Sequence, residues 1–426
     1  MSSTLTIIQG VKARRIFNSR GEETVEITVK TLGGAGVAAA PAGKSRGLHE
    51  VEYYPRGGVE EAVEKVRKLV EPKLLGVDSS NQEEVDRVLH EIDGTENFSR
   101  IGGNTAYAVS MAAAEAAAKS LGKPLFLHMA KLGEVHIPLP LGNVLGGGKH
   151  AGKGAPDIQE FLVLPEKAEK IWEAYAAAVK VHRLLGKTLE RKLPDFTGGK
   201  GDEGAWAPRI GSEEALALVV EAAEQVSAEV GLRIRVGLDV ASSSLWDGEK
   251  QVYVYASEGK TRDGGSQLDF MLELIGKFKL AYVEDPLHEE DFEGFAELTS
   301  KASKFGCLIC GDDLFVTNRR RLEAGIRVKA ATAVIIKPNQ VGTLTDTWEA
   351  VNSALNAGMV PVASHRSGET CDGKLAHLAL AYGCPLIKTG VIGGERASKY
   401  NELIRVQEAY PERIQPTDLT PHLKPR

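Results

Sequence analysis

Six short apolar segments in the second half of the chain each end in charged or polar side chains that could take part in catalysis. One aspartate in such a position is common, because aspartate is a frequent N-cap of the following helix. Six successive ends that all carry functional groups are hard to explain by capping alone, so we interpret them as parts of one active site. The segments end at Asp239, at Glu284 and Asp285, at Asp312 and Asp313, at Lys337, at Ser364, His365 and Arg366, and at Lys388.

Three of these ends carry carboxylates that could bind a metal ion, namely Asp239, Glu284 and Asp312. Three carboxylates that face one point repel each other unless a cation lies between them. Ligation by oxygen alone favours a hard ion, Mg²⁺ or Mn²⁺, over zinc. Lys337, at the next end, could have its pKa lowered by that ion and act as a base. These groups fit removal of a proton α to a carboxylate, with the metal stabilising the resulting enediolate.

The last ends provide hydrogen-bond donors for an anionic group. Arg366, Ser367 and Lys388 would suit a phosphate. The glycine-rich stretch NVLGGGKHAG places flexible backbone around His150, although such a stretch by itself indicates only a turn. We therefore expect an anion-binding part in the same site.

The spacing of the ends predicts the elements that position them. From Glu284 through Asp312, Lys337 and Ser364 to Lys388, the ends recur every 24 to 28 residues, with helical stretches such as LTDTWEAVNSALNAG between them. Apolar strands that alternate with helices predict a parallel sheet. Repetition of the unit predicts a β/α barrel, in which the C-terminal ends of the strands form the active site.

The first part of the chain has a different pattern. Residues 5–54 are predicted to form strands, since TVEITVKT alternates apolar and polar residues, and residues 59–130 are predicted to form helices. Strands followed by helices predict a compact α+β unit. The prolines of HIPLP, residues 136–140, interrupt both types of element and indicate the boundary. We therefore predict an α/β protein with an N-terminal α+β domain, residues 1–136, followed by a β/α barrel, residues 137–426.

Charge and composition restrict the class of protein. The 426 residues carry a net charge of −6, which argues against a surface for nucleic acid or anionic membranes. No apolar run reaches about 18 residues and the N-terminus lacks a signal peptide, so we expect a cytoplasmic protein without a membrane span. We expect the basic run at residues 319–321 to begin a helix. Cys307 and Cys310, despite their C-x-x-C spacing, should be structural thiols on opposite faces of a buried strand.

Successive motifs of the chain resemble those of the enolase family, in order and along nearly the whole length. They are ARRIFNSRGEETVE, PAGKSRGLHE, GGKHAG, IQEF, GDEGAWAP, GLDVASS, VEDP, GDDLFVTN, IKPNQVGT, SHRSGET and IKTG. The resemblance implies a lyase that carries out the reversible, Mg²⁺-dependent dehydration of 2-phosphoglycerate to phosphoenolpyruvate in glycolysis and gluconeogenesis. It also implies a TIM-like barrel with one antiparallel strand.

The resemblance further implies a role for each residue that matches a family motif. Lys337 would be the base that removes the C2 proton, and Glu203 the acid that assists departure of the C3 hydroxyl. Two Mg²⁺ ions are implied per active site: Asp239, Glu284 and Asp312 would hold the first, and Ser45 the second, which arrives with substrate. The substrate site would be lined by His150, Gln159, Glu160, Arg366, Ser367 and Lys388.

The chain departs from the family pattern at a few positions. Asn18 replaces the usual aspartate of the first motif, and the loop between His150 and Gln159 is one residue longer than expected. The loop around Ser45 has Lys44 and Arg46 where the family commonly has small residues. These two cations either point into the closed site, where they would repel the second Mg²⁺ and attract phosphate, or lie on the solvent side.

The resemblance also implies a homodimer, which could be part of a higher assembly of dimers. Arg14 and Glu26 would face Glu395 and Arg405 of the partner subunit, as suits a self-complementary two-fold interface. Two other functions stay open at this point. One is a superfamily relative that acts on a sugar acid or amino acid, and the other is a non-catalytic protein that uses the same fold. An additional presence at the cell surface is also left open.

Overall fold

A computed structural model describes residues 4–425. The N-terminal part begins with an antiparallel sheet of three strands in the order β1-β2-β3, namely Ile8–Phe17, Glu23–Thr31 and Ala35–Ala39. Val25, Ile27 and Val29 of the central strand are fully buried, as the alternating pattern predicts. Thr24 and Thr28 on its other face are buried as well, so β2 is covered on both faces rather than half-buried.

Helices follow the sheet, in agreement with the prediction. They are α1 (Gly58–Lys65), α2 (Glu71–Leu74), α3 (Gln82–Asp93), α4 (Gly103–Ser120) and α5 (Leu125–Met129), with a wider π turn at Val66–Val70 between α1 and α2. The alanine-rich α4 packs directly on the sheet. A Cβ added to Gly36 of β3 would lie 2.0 Å from the carbonyl oxygen of Ala112, so this close approach requires glycine.

The remaining strands are β4 (Val135–Ile137), β5 (Leu139–Gly146), β6 (Glu160–Pro165), β7 (Ile234–Asp239), β8 (Trp246–Asp247), β9 (Val252–Tyr255), β10 (Lys260–Arg262), β11 (Tyr282–Glu284), β12 (Leu308–Gly311), β13 (Ala333–Ile336), β14 (Val360–Ser364), β15 (Leu386–Gly390) and β16 (Ile414–Pro416). Eight of them close into a barrel in the order β5-β6-β7-β11-β12-β13-β14-β15. The predicted β/α barrel is therefore confirmed. Strand β6 is antiparallel to both neighbours, as the family resemblance implies, and the other pairs are parallel.

The helices of the barrel explain the reversed strand. They are α6 (Ile171–Lys192), α7 (Ser212–Val230), α8 (Gly264–Phe278), α9 (Phe292–Ala302), α10 (Arg319–Val328), α11 (Leu344–Asn356), α12 (Lys374–Ala381) and α13 (Gly394–Ala409). No α-helix of the described chain separates β5 from β6, only a single 3-10 turn at Gly148–His150, so the chain turns back and β6 runs antiparallel to its neighbours. Two consecutive helices, α6 and α7, then connect β6 to β7. They return the chain to the edge of the barrel at which the parallel strands begin, so β7 runs parallel to the remaining strands.

The barrel interior holds its own apolar cluster. Leu308 and Cys310 belong to this inner cluster, whereas Cys307 and Ile309 belong to the outer one that faces the helices. The prediction that the two cysteines lie on opposite faces is therefore confirmed, and both are free thiols. The predicted helix start at residues 319–321 is also confirmed, since α10 begins at Arg319.

The segment HIPLP, predicted to be a domain boundary, does not form an irregular linker. Pro140 lies in β5, where it pairs with Ile387 of β15, and the pairing of β5 with β6 begins only at Gly142. A proline is tolerated there because β6 requires no hydrogen bond from it. The boundary between residues 136 and 137 falls inside β4 and stays a prediction. Among residues 4–425, no helix combines the length and the apolar character needed to cross a membrane.

Candidate active site

A small cavity of about 30 Å³ lies at the C-terminal edge of the barrel. Every predicted site residue except Glu284 lines it, and Glu284 lies just behind, 2.8 Å from the ammonium of Lys388. The lining residues are Gly43, Lys44, Ser45, His150, Gln159, Glu160, Glu203, Asp239, Asp312, Lys337, Ser364, His365, Arg366, Ser367 and Lys388. The structure thus brings the predicted residues together at one end of the barrel.

The reversed strand decides which residue of β6 reaches the cavity. Because β6 runs antiparallel, its first residue, Glu160, lies at the edge where its parallel neighbours end, and it pairs with Asp239. Asp239 in turn pairs with Glu284 on the next strand. Three carboxylates therefore stand side by side at one rim of the barrel.

Lys388 provides the cation between these carboxylates. Its Nζ lies 2.7 Å from Asp239 Oδ2, 2.8 Å from Glu284 Oε1 and 3.4 Å from Glu160 Oε1. Lys388 is buried, and burial alone would lower its pKa. The surrounding carboxylates raise it well above the usual value, so the lysine stays charged. Lys388 was predicted to donate hydrogen bonds to a phosphate, but in this structure its ammonium contacts carboxylates.

Lys337 and Asp312 form a second buried ion pair. Burial lowers the pKa of Lys337, but Asp312 raises it and the net pKa lies above the usual value. This is the opposite of the lowered pKa that a neighbouring metal ion would cause. The difference has a physical reason, since the charge of Asp312 is balanced by Lys337 itself. For the predicted role of Lys337 as a base, another cation would have to balance the charge of Asp312.

The carboxylate set fits a hard divalent cation. Burial, followed by the charge of Asp239, raises the pKa of Glu284 to about 8, so Glu284 is not stably ionised without more positive charge nearby. Asp239, Glu284 and Asp312 offer oxygen only, as Mg²⁺ prefers. Asp285, Asp312 and Asp313 also lie close enough to share an ion. The Asp285 carboxylate, however, accepts the N–H groups of Asp312 (2.9 Å) and Asp313 (2.8 Å), so we regard Asp285 as a brace for that loop.

Glu203 faces Glu160 across the cavity, with His150 between them. The nearest ligand atoms of the three residues all lie within 4.8 Å of one another. Burial and the charge of Glu203 raise the pKa of Glu160 well above its usual value. Burial acts in the same direction on Glu203, but His365, His150 and Arg396 outweigh it and lower the pKa of Glu203. Of the two neighbouring carboxyl groups, Glu160 therefore holds a proton more tightly than Glu203 does.

His365 is oriented by a buried arginine. Arg396 Nη1 donates to His365 Nδ1 (2.7 Å), so the ring proton is on Nε2, which lies 3.3 Å from Glu203 Oε1. Burial lowers the pKa of His365 to about 3, which keeps the ring neutral. Asn143 Nδ2 donates to the other oxygen of Glu203 (2.9 Å). The Asn143 amide thus holds one oxygen of Glu203, and the neutral His365 ring lies close to the other without a hydrogen bond.

The predicted anion donors are engaged within the protein. The Arg366 guanidinium donates to both oxygens of Glu50, each at 3.0 Å, and to Asn339 Oδ1 at the same distance. Ser367 Oγ accepts the backbone N–H of Lys44 at 2.7 Å. Several buried polar atoms, in contrast, make no hydrogen bond within the described chain. They include His150 Nδ1, Gln159 Oε1 and Glu160 Oε2, and they would suit a polar ligand.

Lys44 and Arg46 lie in different places. The Arg46 guanidinium stacks on the ring of Tyr53 at 4.2 Å and donates to the carbonyl of Val51 (3.0 Å), so it points away from the cavity. Lys44 lines the cavity, and its ammonium lies 2.9 Å from Asp202. Arg46 therefore lies on the solvent side of the loop, as one of the two alternatives predicts. Lys44 fits neither alternative, because it borders the cavity but pairs with Asp202 rather than pointing at the metal or phosphate position.

Sequence reasoning left several residues of the site without a role. His365 was recognised as one of the residues at a strand end, but it was given no role although it lies inside SHRSGET. Arg396, on α13, and Asn143, on β5, gave no signal because nothing in their local sequence points to the cavity. Asn18 proves to be a close substitute for aspartate, since its Oδ1 accepts the N–H of Arg20 (2.9 Å) and of Glu22 (3.1 Å).

A closed barrel with one reversed strand, and a cavity at its catalytic edge lined by carboxylates and lysines, defines a barrel enzyme that uses acid–base chemistry. Two family descriptions match the chain: "Enolase, N-terminal domain" over residues 8–129 and "Enolase, C-terminal TIM barrel domain" over residues 134–416.

Similar proteins cover nearly the whole chain. An enolase of Methanothermobacter thermautotrophicus is 52% identical over 406 residues, which cover 95% of this chain and 97% of that protein. An enolase of Methanosphaera stadtmanae is 51% identical over 403 residues, with the same coverage, and one of Pyrobaculum aerophilum is 49% identical over 399 residues, which cover 92% and 94%. The chain belongs to the enolase family, and it is an enzyme, a lyase of the phosphopyruvate hydratase type. These matches do not support a non-catalytic protein or a sugar-acid enzyme.

Proposed function

We propose that this enzyme interconverts 2-phosphoglycerate and phosphoenolpyruvate in a Mg²⁺-dependent reaction of glycolysis and gluconeogenesis, in the cytoplasm. One observation carries the proposal. Lys337 and Glu203, the proposed base and acid, open onto the same cavity, and the buried carboxylates of Asp239 and Asp312 line it with them. The relatives named above are enolases along almost their entire length, which supports the same reaction.

The first step is removal of the C2 proton by Lys337. Asp239, Glu284 and Asp312 would hold the first Mg²⁺, and Ser45 would contribute to a second that arrives with substrate. The negative charge that develops on the substrate carboxylate when the proton leaves would be neutralised by Mg²⁺ held there. If the charge of Asp312 is also balanced by this ion, the Lys337 amine no longer needs to pair with Asp312 and is free to take the proton.

The second step is departure of the C3 hydroxyl. Glu203 donates the proton that converts this hydroxyl into water. The pKa of Glu203 is lowered and that of its neighbour Glu160 is raised, so Glu203 must take up a proton before it acts as the acid.

The rest of the cavity would bind and orient the substrate. His150, Gln159 and Glu160 carry buried polar atoms without a hydrogen-bond partner, which suit the substrate hydroxyl. Arg366 and Ser367 would receive the phosphate after their present partners shift. The cavity has about the room of one water molecule, so the surrounding loops must move before a phosphorylated three-carbon acid can enter.

We also propose a homodimer, alone or within a higher assembly. Arg14 and Glu26 lie opposite each other on β1 and β2, with Nε 3.3 Å from Oε1. The pair is partly exposed and could meet Glu395 and Arg405 of the partner subunit.

The test starts with purified enzyme, 2-phosphoglycerate and Mg²⁺, and follows the ultraviolet absorbance of phosphoenolpyruvate. Lys337→Ala should lower turnover by about 10²–10⁴-fold, the range for a lost general base. It should also stop exchange of the C2 proton with solvent. Lys187→Ala, which changes an exposed lysine of α6, is the matched control and should keep full activity. No absorbance change with the wild type, or continued C2 exchange in Lys337→Ala, would refute the proposal.

A further inference from the structure

The loop that carries Ser45 covers the cavity in a closed position. This loop, residues 42–46 and called the Ser45 loop below, is fastened to the segment that follows Arg366. Ala42 and Gly368 exchange two backbone hydrogen bonds, at 2.7 and 2.8 Å, and Lys44 N–H donates to Ser367 Oγ. A Cβ added to Gly43 would lie 2.2 Å from Arg366 Nη2. At Gly43 the loop therefore leaves no room for a side chain next to Arg366.

Lys44 forms an ion pair with a residue on the opposite side of the cavity. Its Nζ lies 2.9 Å from Asp202 Oδ2, and the two side chains are 35% and 25% exposed. Arg20 also approaches the same carboxylate, at 4.0 Å. The pair therefore joins the N-terminal domain to the barrel loop that holds Glu203, the next residue after Asp202.

Asp202, the barrel residue of this ion pair, is held firmly by its backbone hydrogen bonds. The N–H of Asp202 donates to the carbonyl of His150 at 3.2 Å, and its carbonyl accepts from Arg396 Nη2 at 3.1 Å. Arg396 is fully buried. A carboxylate on so fixed a backbone can hold the more mobile lysine in place, because only the lysine side chain must be ordered to form the pair.

We propose that Lys44 and Asp202 form a latch that keeps the Ser45 loop closed over the active site and that opens to admit substrate and release product. The kinetic part of this inference rests on the proposed function. Both are positioning residues, since neither needs to touch the reacting atoms. An ion pair of this exposure shifts an equilibrium by about two- to five-fold, so the latch tunes loop closure without locking it.

The first test needs no substrate. Trypsin can cut after Lys44 and Arg46 only when the loop opens, so the cleavage rate reports the open fraction. Asp202→Asn removes the charge, keeps a turn-forming side chain and leaves both cleavage sites intact. Cleavage at residues 44–46 should become about two- to five-fold faster, and high salt should speed cleavage of the wild type towards the same rate.

The control for this test is Asp195→Asn. Asp195 is exposed and forms no ion pair in the described chain. It should leave the cleavage rate unchanged. If Asp202→Asn is cut no faster than the wild type, the ion pair does not hold the loop and the inference is wrong.

The second test separates a latch from direct binding of the substrate phosphate by Lys44. Lys44→Ala should raise KM for 2-phosphoglycerate about two- to five-fold, leave kcat unchanged or raised, and leave the Mg²⁺ concentration for half-maximal rate unchanged. Lys44→Arg should restore the wild-type KM. The charge-exchanged double variant, Lys44→Asp with Asp202→Lys, should recover most of the loss.

The outcomes distinguish the alternatives. If Lys44→Ala raises KM equally in the wild type and in Asp202→Asn, and the charge exchange recovers nothing, Lys44 acts on the substrate and the latch is refuted. If none of the proteins converts 2-phosphoglycerate, the proposed function fails, and the trypsin result alone then decides whether the latch exists.

Discussion

Asp86 on α3 is a buried carboxylate at the contact between the N-terminal domain and the barrel. Its Oδ2 accepts the N–H and the hydroxyl of Thr345 on α11, at 2.9 and 2.6 Å, and its Oδ1 accepts from Gln82 at 3.0 Å. Burial raises the pKa of Asp86 from 3.8 to about 6, and the hydrogen bonds only partly oppose this. The folded protein therefore holds the proton of Asp86 more tightly than the unfolded chain does.

The sign of the effect on stability follows from this difference. Between pH 3.8 and 6 the folded state binds more protons than the unfolded state, so the stability due to Asp86 falls as the pH rises. About 2 pKa units at about 1.4 kcal/mol each correspond to about 3 kcal/mol over the whole window. About 2 kcal/mol of this loss should occur between pH 4.5 and pH 7.

Asp86→Asn tests this reasoning because it keeps an oxygen for Thr345 and removes the titration. The unfolding midpoint would be measured by circular dichroism in denaturant at pH 4.5, 5.5 and 7. Relative to the wild type, Asp86→Asn should gain about 2 kcal/mol of stability as the pH rises from 4.5 to 7. Asp269→Asn on α8, where the carboxylate is exposed, is the control and should follow the wild type. An Asp86→Asn variant with the same pH dependence as the wild type would show that Asp86 is not the titrating group.

Three further predictions concern the site and the assembly. Glu203→Gln should keep exchange of the C2 proton, followed by NMR in D₂O, yet lose phosphoenolpyruvate formation, and loss of both in a folded variant would contradict separate roles. Arg396→Lys should lower kcat about 10–100-fold with little change in KM, because lysine cannot hold the His365 ring and the Asp202 carbonyl together; an unchanged kcat would mean that Arg396 does not position Glu203. Light scattering at micromolar concentration should show a particle of two chains, and a monomer would refute the proposed dimer.

The sequence determined the barrel and most of its catalytic edge. Strands such as AVIIK and LAYVED are nearly continuous apolar runs that recur with helices between them, and such units bury both faces of a parallel sheet. Parallel strands bring their C-terminal ends to one edge, so Asp239, Asp312 and Lys337 had to lie near one another. The reversed strand β6 could not be derived in this way, because Glu160 stands at the beginning of its strand and only the family resemblance pointed to it.

Only the tertiary structure decided which charges meet. Lys388, predicted to bind phosphate, is surrounded by Asp239, Glu284 and Glu160, and Lys44 reaches Asp202 across 158 residues of sequence. Residue type and spacing fix the end of the barrel at which a side chain emerges. The partner it takes there depends on the direction of each side chain and on how far burial penalises an unpaired charge, and both follow from the packing of segments that are remote in sequence.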